Sequence, residues 1–160
     1  MQAWHHLSAA FQPTVSLLLI VWNCDTGALV AGRLSTSLLQ RRIPVAEAIQ
    51  RVSPKKSMEG MMGGLLLGSL TTIFMPWWWR YLDSMGLLVF EQDIWNRHTI
   101  PWGLVLSSCA ILGDLAESAV KRVSKSKDSS RLLPGHGGIL DRFDSSFVAV
   151  IVYRLFVMPT

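Results

Sequence analysis

Ile100-Pro101-Trp102-Gly103-Leu104-Val105-Leu106-Ser107-Ser108-Cys109-Ala110-Ile111-Leu112-Gly113-Asp114-Leu115-Ala116-Glu117-Ser118-Ala119-Val120-Lys121-Arg122 is the stretch on which the fold turns. Residues 100–120 form an apolar run that ends on a basic pair. Its length meets the ~20 residues a helix needs to cross a bilayer. Three further runs read the same way, at residues 13–32, 58–77 and 145–158. The last is short and contains Arg154, which must snorkel its charge to an interface or end the span early.

Composition agrees with a membrane chain. Half of the 160 residues are hydrophobic and 16% are charged, against about 25% charged in soluble domains. Mean hydropathy is +0.34. The expectation is an all-α, polytopic integral membrane protein with about four spans, forming a single membrane domain over residues 1–160. No convincing cleavable signal stands at the N-terminus, which has no Lys or Arg before the first apolar run.

The net charge of +4 would suggest nucleic acid in a soluble domain, but its placement argues otherwise. Residues 33–56 hold six Lys/Arg and residues 121–142 hold six more, whereas residues 77–99 hold only Arg80 and Arg97 against Asp83, Glu91 and Asp93. Two spans separate the basic loops, so both face one side. The positive-inside rule makes that side the cytoplasm, or the stroma or matrix of an organelle. Basic loops there suit membrane lipids and an anionic substrate, with no nucleic acid. Trp77, Trp78, Trp79, Trp95 and Trp102 surround the opposite loop and read as an interfacial aromatic belt. Cys24 and Cys109 lie in apolar runs without metal or redox spacing and read as buried core residues.

Three places carry candidate chemistry. In the first, Asp114, Glu117 and Lys121 are spaced i, i+3, i+7, on one helix face bordered by Ser118. A carboxylate that deep in an apolar helix needs a polar cavity or a cation, which favours function for Asp114. Glu117 is equally well read as a local i, i+4 pair with Lys121. The second place is Gly135-His136-Gly137-Gly138-Ile139-Leu140-Asp141-Arg142-Phe143-Asp144. Glycines let backbone N–H groups approach a phosphate, and Asp141 and Asp144 share a face if a helix begins there. With Asp114 they offer the hard oxygens that Mg²⁺ prefers. A plain loop before a capped helix would look similar. The third is Ser53-Pro54-Lys55-Lys56-Ser57-Met58-Glu59-Gly60. Ser53 suits an N-cap and Pro54 the first helical position, placing two lysines beside a helix N-terminus. Juxtamembrane lysines binding headgroups are the competing reading. Asp25, inside the first run, is a further candidate.

Ser118, Lys121-Arg122, Lys127-Asp128, His136-Gly137-Gly138 and Asp141-Arg142-Phe143-Asp144 stand at the spacing of the CDP-diacylglycerol synthase (phosphatidate cytidylyltransferase) signature. Asp25-Thr26-Gly27-Ala28 with Gly32-Arg33 resembles that family's Asp-Thr-Gly-Ala…Gly-Arg block, and residues 53–60 resemble its Ser-Pro-Lys-Lys-Thr-Trp-Glu-Gly block. The resemblance runs through nearly the whole chain and corresponds to the family's C-terminal, catalytic half. It implies transfer of a cytidylyl group from CTP to phosphatidate, giving CDP-diacylglycerol and pyrophosphate for phospholipid synthesis. It implies Mg²⁺, with a second, monovalent cation as an option. Carried onto this chain, it makes Asp114, Asp141 and Asp144 the metal ligands, with Lys121 and Arg122 beside them in catalysis. Lys55, Lys56, Lys127, His136, Gly137, Gly138 and Arg142 become the substrate contacts. For His136 a structural hydrogen bond to the backbone is the alternative.

Two departures stand out. Ser35-Thr36-Ser37 follows Gly32-Arg33 where the family has Phe-Gly-Lys, and Met58 replaces its Trp. Family members are also longer, with extra spans before the Asp-Thr-Gly-Ala block, which leaves three readings: a fragment, a partner chain that supplies the rest, or a reduced form. Polar faces that would normally pack on those extra helices predict a homodimer or a partner chain. A catalytically inactive or partial membrane subunit is the alternative function. A relative that activates a different lipid phosphate with CTP is a second rival. The CDP-alcohol phosphotransferases are set aside, because their Asp-Gly-x-x-Ala-Arg opening is absent.

Overall fold

The computed structural model describes residues 2–38, 43–86, 99–124 and 140–157, with side chains at 11–38, 43–86, 100–124 and 145–156. These residues form five α-helices: α1 (Gln2–Leu38), α2 (Glu47–Val52), α3 (Met58–Ser84), α4 (Thr99–Val123) and α5 (Leu140–Val152). A π-helical turn, Tyr153–Val157, continues α5. Three of the helices are long and apolar enough to cross a membrane, and residues 145–156 form a shorter apolar helix. The all-α, polytopic membrane architecture expected from the sequence is therefore the one observed.

Contacts between α1 and α3 fix their direction. Gly32 lies against Ser57 and Gly60, Gly27 against Gly63, Cys24 against Gly64, and Ser16 against Trp79. Numbers fall along α1 as they rise along α3, so the two helices are antiparallel. They approach closely because the seam is made of small residues. Gly60, Gly64 and Gly68 repeat every fourth residue on α3 and meet Cys24 and Ala28 on α1. A bilayer offers no hydrophobic gain for pressing two apolar helices together, so backbone proximity and van der Waals packing must do it. α4 then crosses α3 through Gly103 against Thr72 and Ser107 against Gly68.

The buried core lies where α1, α4 and α5 meet. Ile20, Val21 and Cys24 pack with Leu106, Ala110 and Ile111, and with Ala149 and Tyr153. Cys24 and Cys109 are both buried and free of disulfides, as expected. Large apolar side chains such as Leu66, Phe74, Leu112 and Ile151 point outward, the arrangement a lipid solvent rewards.

Four expectations are corrected. α1 runs well past both limits of its predicted span, passing through Pro13 and beyond Gly32 to Leu38. At its far end Thr36 Oγ1 bonds back to the Gly32 carbonyl at 2.9 Å, so the hydroxyl is satisfied inside the helix. The helix expected to start at Pro54 starts at Met58 instead, capped by Ser57, whose Oγ accepts from the Gly60 N–H at 3.3 Å. Ser53 closes α2, donating its N–H to the Ile49 carbonyl at 2.8 Å, and Pro54-Lys55 form a turn. The fourth helix begins at Leu140, before residue 145, and Arg154 falls in the π-helical turn. Finally, Trp79 is no part of a belt. It is 1% exposed and donates Nε1–H to Ser16 Oγ at 2.8 Å, while Trp77 and Trp78 are open to the surroundings.

The Trp79 bond invites a test. Trp79→Phe leaves the Ser16 hydroxyl without its donor and removes ring volume, at a cost of about 1–3 kcal/mol. Thermal unfolding in detergent should show a clear drop for this variant and none for Trp77→Phe, whose ring is exposed.

Candidate functional site

Asp114 sits nine residues before the end of α4, about 13 Å inside it at 1.5 Å per residue. Its Oδ2 meets the Lys56 ammonium at 2.7 Å, and the same ammonium donates to the Ile111 carbonyl at 3.3 Å. Lys56 comes from the short connection between α2 and α3, so this pair ties the first basic loop to the last third of α4. Arg122 adds a second tie, donating Nε–H to the Val52 carbonyl at 3.1 Å. The first basic loop and the basic end of α4 therefore lie at one end of the bundle, as the charge pattern required.

Glu117 and Lys121 form their own ion pair at 2.7 Å. The three-residue face read from the sequence thus splits into an Asp114–Lys56 pair and a separate Glu117–Lys121 pair.

Around Asp114 opens a cavity of about 990 Å³, at the upper end of the range for ligand pockets. Asp25, Arg33, Lys55, Lys56, Asp114 and Ser145 supply its charged and polar lining, along with Thr36, Ser37 and Ser57. Three bases and two acids in one cavity suit an anionic ligand that arrives with a cation. Lys121 and Arg122, read as catalytic from the sequence, are not among the lining residues.

Glu59 supports the wall between α1 and α3. Its Oε1 accepts from the Ile43 N–H at 2.8 Å and from Ser35 Oγ at 3.2 Å. The Met58 N–H donates to the Ile43 carbonyl at 3.2 Å. The end of α1, the segment after it and the start of α3 are thereby held together beside the lysines.

On the far wall, Ser145 Oγ donates to Asp25 Oδ2 at 3.0 Å. Ser145 directly follows Asp144, so the first turns of α5 stand at this cavity. Asp141, Arg142 and Asp144 lie on α5, with side chains outside the described ones; Lys127, His136, Gly137 and Gly138 lie outside the described residues altogether.

Mg²⁺ takes hard oxygen ligands and binds through one or two carboxylates together with water and phosphate oxygens. Asp25 and Asp114 offer such oxygens in one cavity, so the donor chemistry fits. Among the described residues no three His, Cys, Asp or Glu side chains converge.

Asp25, a candidate from its place inside the first apolar run, lines the cavity, and Arg33 and Ser145 join it there without having been assigned a site role from the sequence. A signal for two of them existed. Asp25, Leu29, Gly32, Arg33 and Thr36 recur at helical spacing, so the acid and the Gly-Arg pair of the Asp-Thr-Gly-Ala…Gly-Arg block share one face of α1, and all five residues line the cavity.

Comparison with known proteins gives this arrangement a context. The profile of the cytidylyltransferase family matches residues 2–159. A phosphatidate cytidylyltransferase from Staphylococcus epidermidis is 39% identical over 142 residues, which is 89% of this chain and 47% of that protein. Its namesake from Staphylococcus haemolyticus is 42% identical over 127 residues, 79% of this chain and 42% of that one. The chain spans about half the length of these curated relatives or less. With a match that runs from α1 through the π-helical turn and takes in every wall of the cavity, the chain belongs to the cytidylyltransferase family.

Proposed function

We propose that this chain carries the catalytic part of a phosphatidate cytidylyltransferase, which joins the cytidylyl group of CTP to phosphatidate in the membrane and releases pyrophosphate. The observation that supports this reading best is the mixed-charge cavity at the basic end of the bundle, with Asp114 held by Lys56 at 2.7 Å. The charge pattern supports a cytoplasmic, stromal or matrix face for that end. CTP and the phosphatidate headgroup would both reach it from there.

The chemistry needs little proton transfer. Phosphatidate's phosphate is already an anion at neutral pH, and its oxygen attacks the α-phosphorus while pyrophosphate leaves. The obstacle is bringing two polyanions together and holding the charge that builds on the leaving group. Lys55, Lys56 and Arg33 line the place where such phosphates would sit, and fixed positive groups in a low-dielectric cavity act strongly on developing charge. Mg²⁺ bound there would supply Lewis-acid charge that offsets part of the phosphates' negative charge. Asp114 and Asp25 are the described side chains that would hold it, with Asp141 and Asp144 on α5 as the remaining candidates. A homodimer or a partner chain is the assembly we propose.

The test is turnover in membranes that hold this chain as their only cytidylyltransferase. With CTP, phosphatidate and Mg²⁺, CDP-diacylglycerol and pyrophosphate should form in equal amounts, and EDTA should stop both. If correctly inserted protein gives no product, the chain is a subunit or part that requires another chain, and the non-catalytic reading takes over.

A further inference from the structure

The Lys56 ammonium rests on a carboxylate oxygen and a main-chain carbonyl, Asp114 Oδ2 at 2.7 Å and Ile111 O at 3.3 Å, with its side chain only 16% exposed. These are the two ligand types that hard metal cations choose in proteins. A surface ion pair holds its long side chains loosely and is screened by solvent. Here the ammonium is largely covered and has a second, backbone acceptor, so it is placed as a bound cation would be.

We infer that the Lys56 ammonium and a divalent metal ion compete for the Asp114 carboxylate, so that Lys56 is a resident cation which metal loading expels and frees for a substrate phosphate. The inference rests on the reading of Asp114 as a metal ligand. Three features support the exchange itself. A carboxylate near the end of a membrane helix is costly when bare, and Lys56 neutralises it. Two cations cannot share one carboxylate oxygen at bonding distance without strong repulsion. Lys56 is also carried by a short connection bounded by the Pro54-Lys55 turn and the Ser57 cap, not by a helix. Its side chain can swing away without unpacking any span. The neighbouring Lys55 already faces the same cavity and is exposed, so a released Lys56 would join a second phosphate-binding base. One lysine would thereby neutralise Asp114 and then deliver its charge to the nucleotide.

The test reads Lys56 itself and not turnover. Purified full chain in liposomes is treated with an amine-acylating reagent, in Mg²⁺ or in EDTA, and labelling is quantified by mass spectrometry. Lys55 serves as the internal reference. Mg²⁺ should raise Lys56 labelling several-fold and leave Lys55 unchanged. Asp114→Asn should label at the high rate in both conditions. Mn²⁺ binding, followed by electron paramagnetic resonance, is measured in parallel for the wild type and Asp114→Asn. If Mn²⁺ binds the wild type, weakens in Asp114→Asn, and yet Lys56 labelling does not move, the exchange is wrong while Asp114 remains a metal ligand. If Asp114→Asn binds Mn²⁺ as the wild type does, Asp114 is no ligand, and the exchange is overturned together with the reading beneath it.

Discussion

Asp114→Asn should lower the turnover of CTP and phosphatidate by roughly 100-fold or more, the scale seen when one charge-stabilising group is removed from an active site. The substitution keeps the shape of the side chain and removes its charge, so the loss should fall in kcat, with KM for phosphatidate little changed. Stability should barely move. The Asp114 side chain is 37% exposed, and Lys56, left without its carboxylate, sits on a connection from which its ammonium can swing to water. Glu117→Gln is the matched control, because Glu117 is paired with Lys121 on its own helix and lines no part of the cavity. Turnover in that variant should stay within a few-fold of wild type. Equal losses in both variants would mean that any lost carboxylate on α4 disables the protein, and Asp114 would have no special place.

Gly63→Leu should give the largest structural effect. A β-carbon at Gly63 would run into Ala31 Cβ and stand 2.8 Å from the Gly27 carbonyl oxygen. Neither obstacle, a methyl with no rotamer to change or the helix backbone of α1, can turn aside. The helices must part. Overpacking a core costs typically 1–3 kcal/mol, and here the strain enters a backbone-to-backbone contact whose separation opens the whole seam. Chains of this size are stable by only about 5–15 kcal/mol. Gly63→Leu should therefore be recovered mainly as aggregate or degraded protein, whereas Met62→Leu, at a 58% exposed position, should yield normal amounts. Gly63→Ala should fall between them, since a single methyl asks for a smaller displacement. Fluorescence-detected size exclusion in detergent reads all three. Normal monodispersity for Gly63→Leu would show that the α1–α3 seam is more yielding than its geometry implies.

The sequence made the helices and their common basic end legible, because the bilayer demands long apolar runs and the loops carry the charge. It hid the boundaries near Ser53 and Ser57. Both serines suit a cap, and only the Pro54-Lys55 turn between them decides that Ser53 ends α2 and Ser57 starts α3. Trp79 was misread for a similar reason. It lies within a run of three tryptophans at a helix end, and composition alone does not reveal that one of them faces Ser16. At the site, Asp114 was legible from its cost in an apolar helix, and Lys56 from its motif. Their pairing was not, since 55 residues separate the lysine from Ile111, the other oxygen it touches. Nor was the split between Asp114 and Glu117, because helical spacing puts residues on one face without saying which neighbour each one meets.

The hydrogen bond from Ser145 to Asp25 joins residues 120 positions apart, and that distance sets a schedule for biosynthesis. A ribosome delivers α1 to the membrane long before α5 exists, so Asp25 must be inserted without this hydroxyl. The wall of the cavity closes only when the final helix arrives. A nascent chain stalled or cut before residue 145 would carry Asp25, Asp114 and Lys56 and still present an open side to lipid.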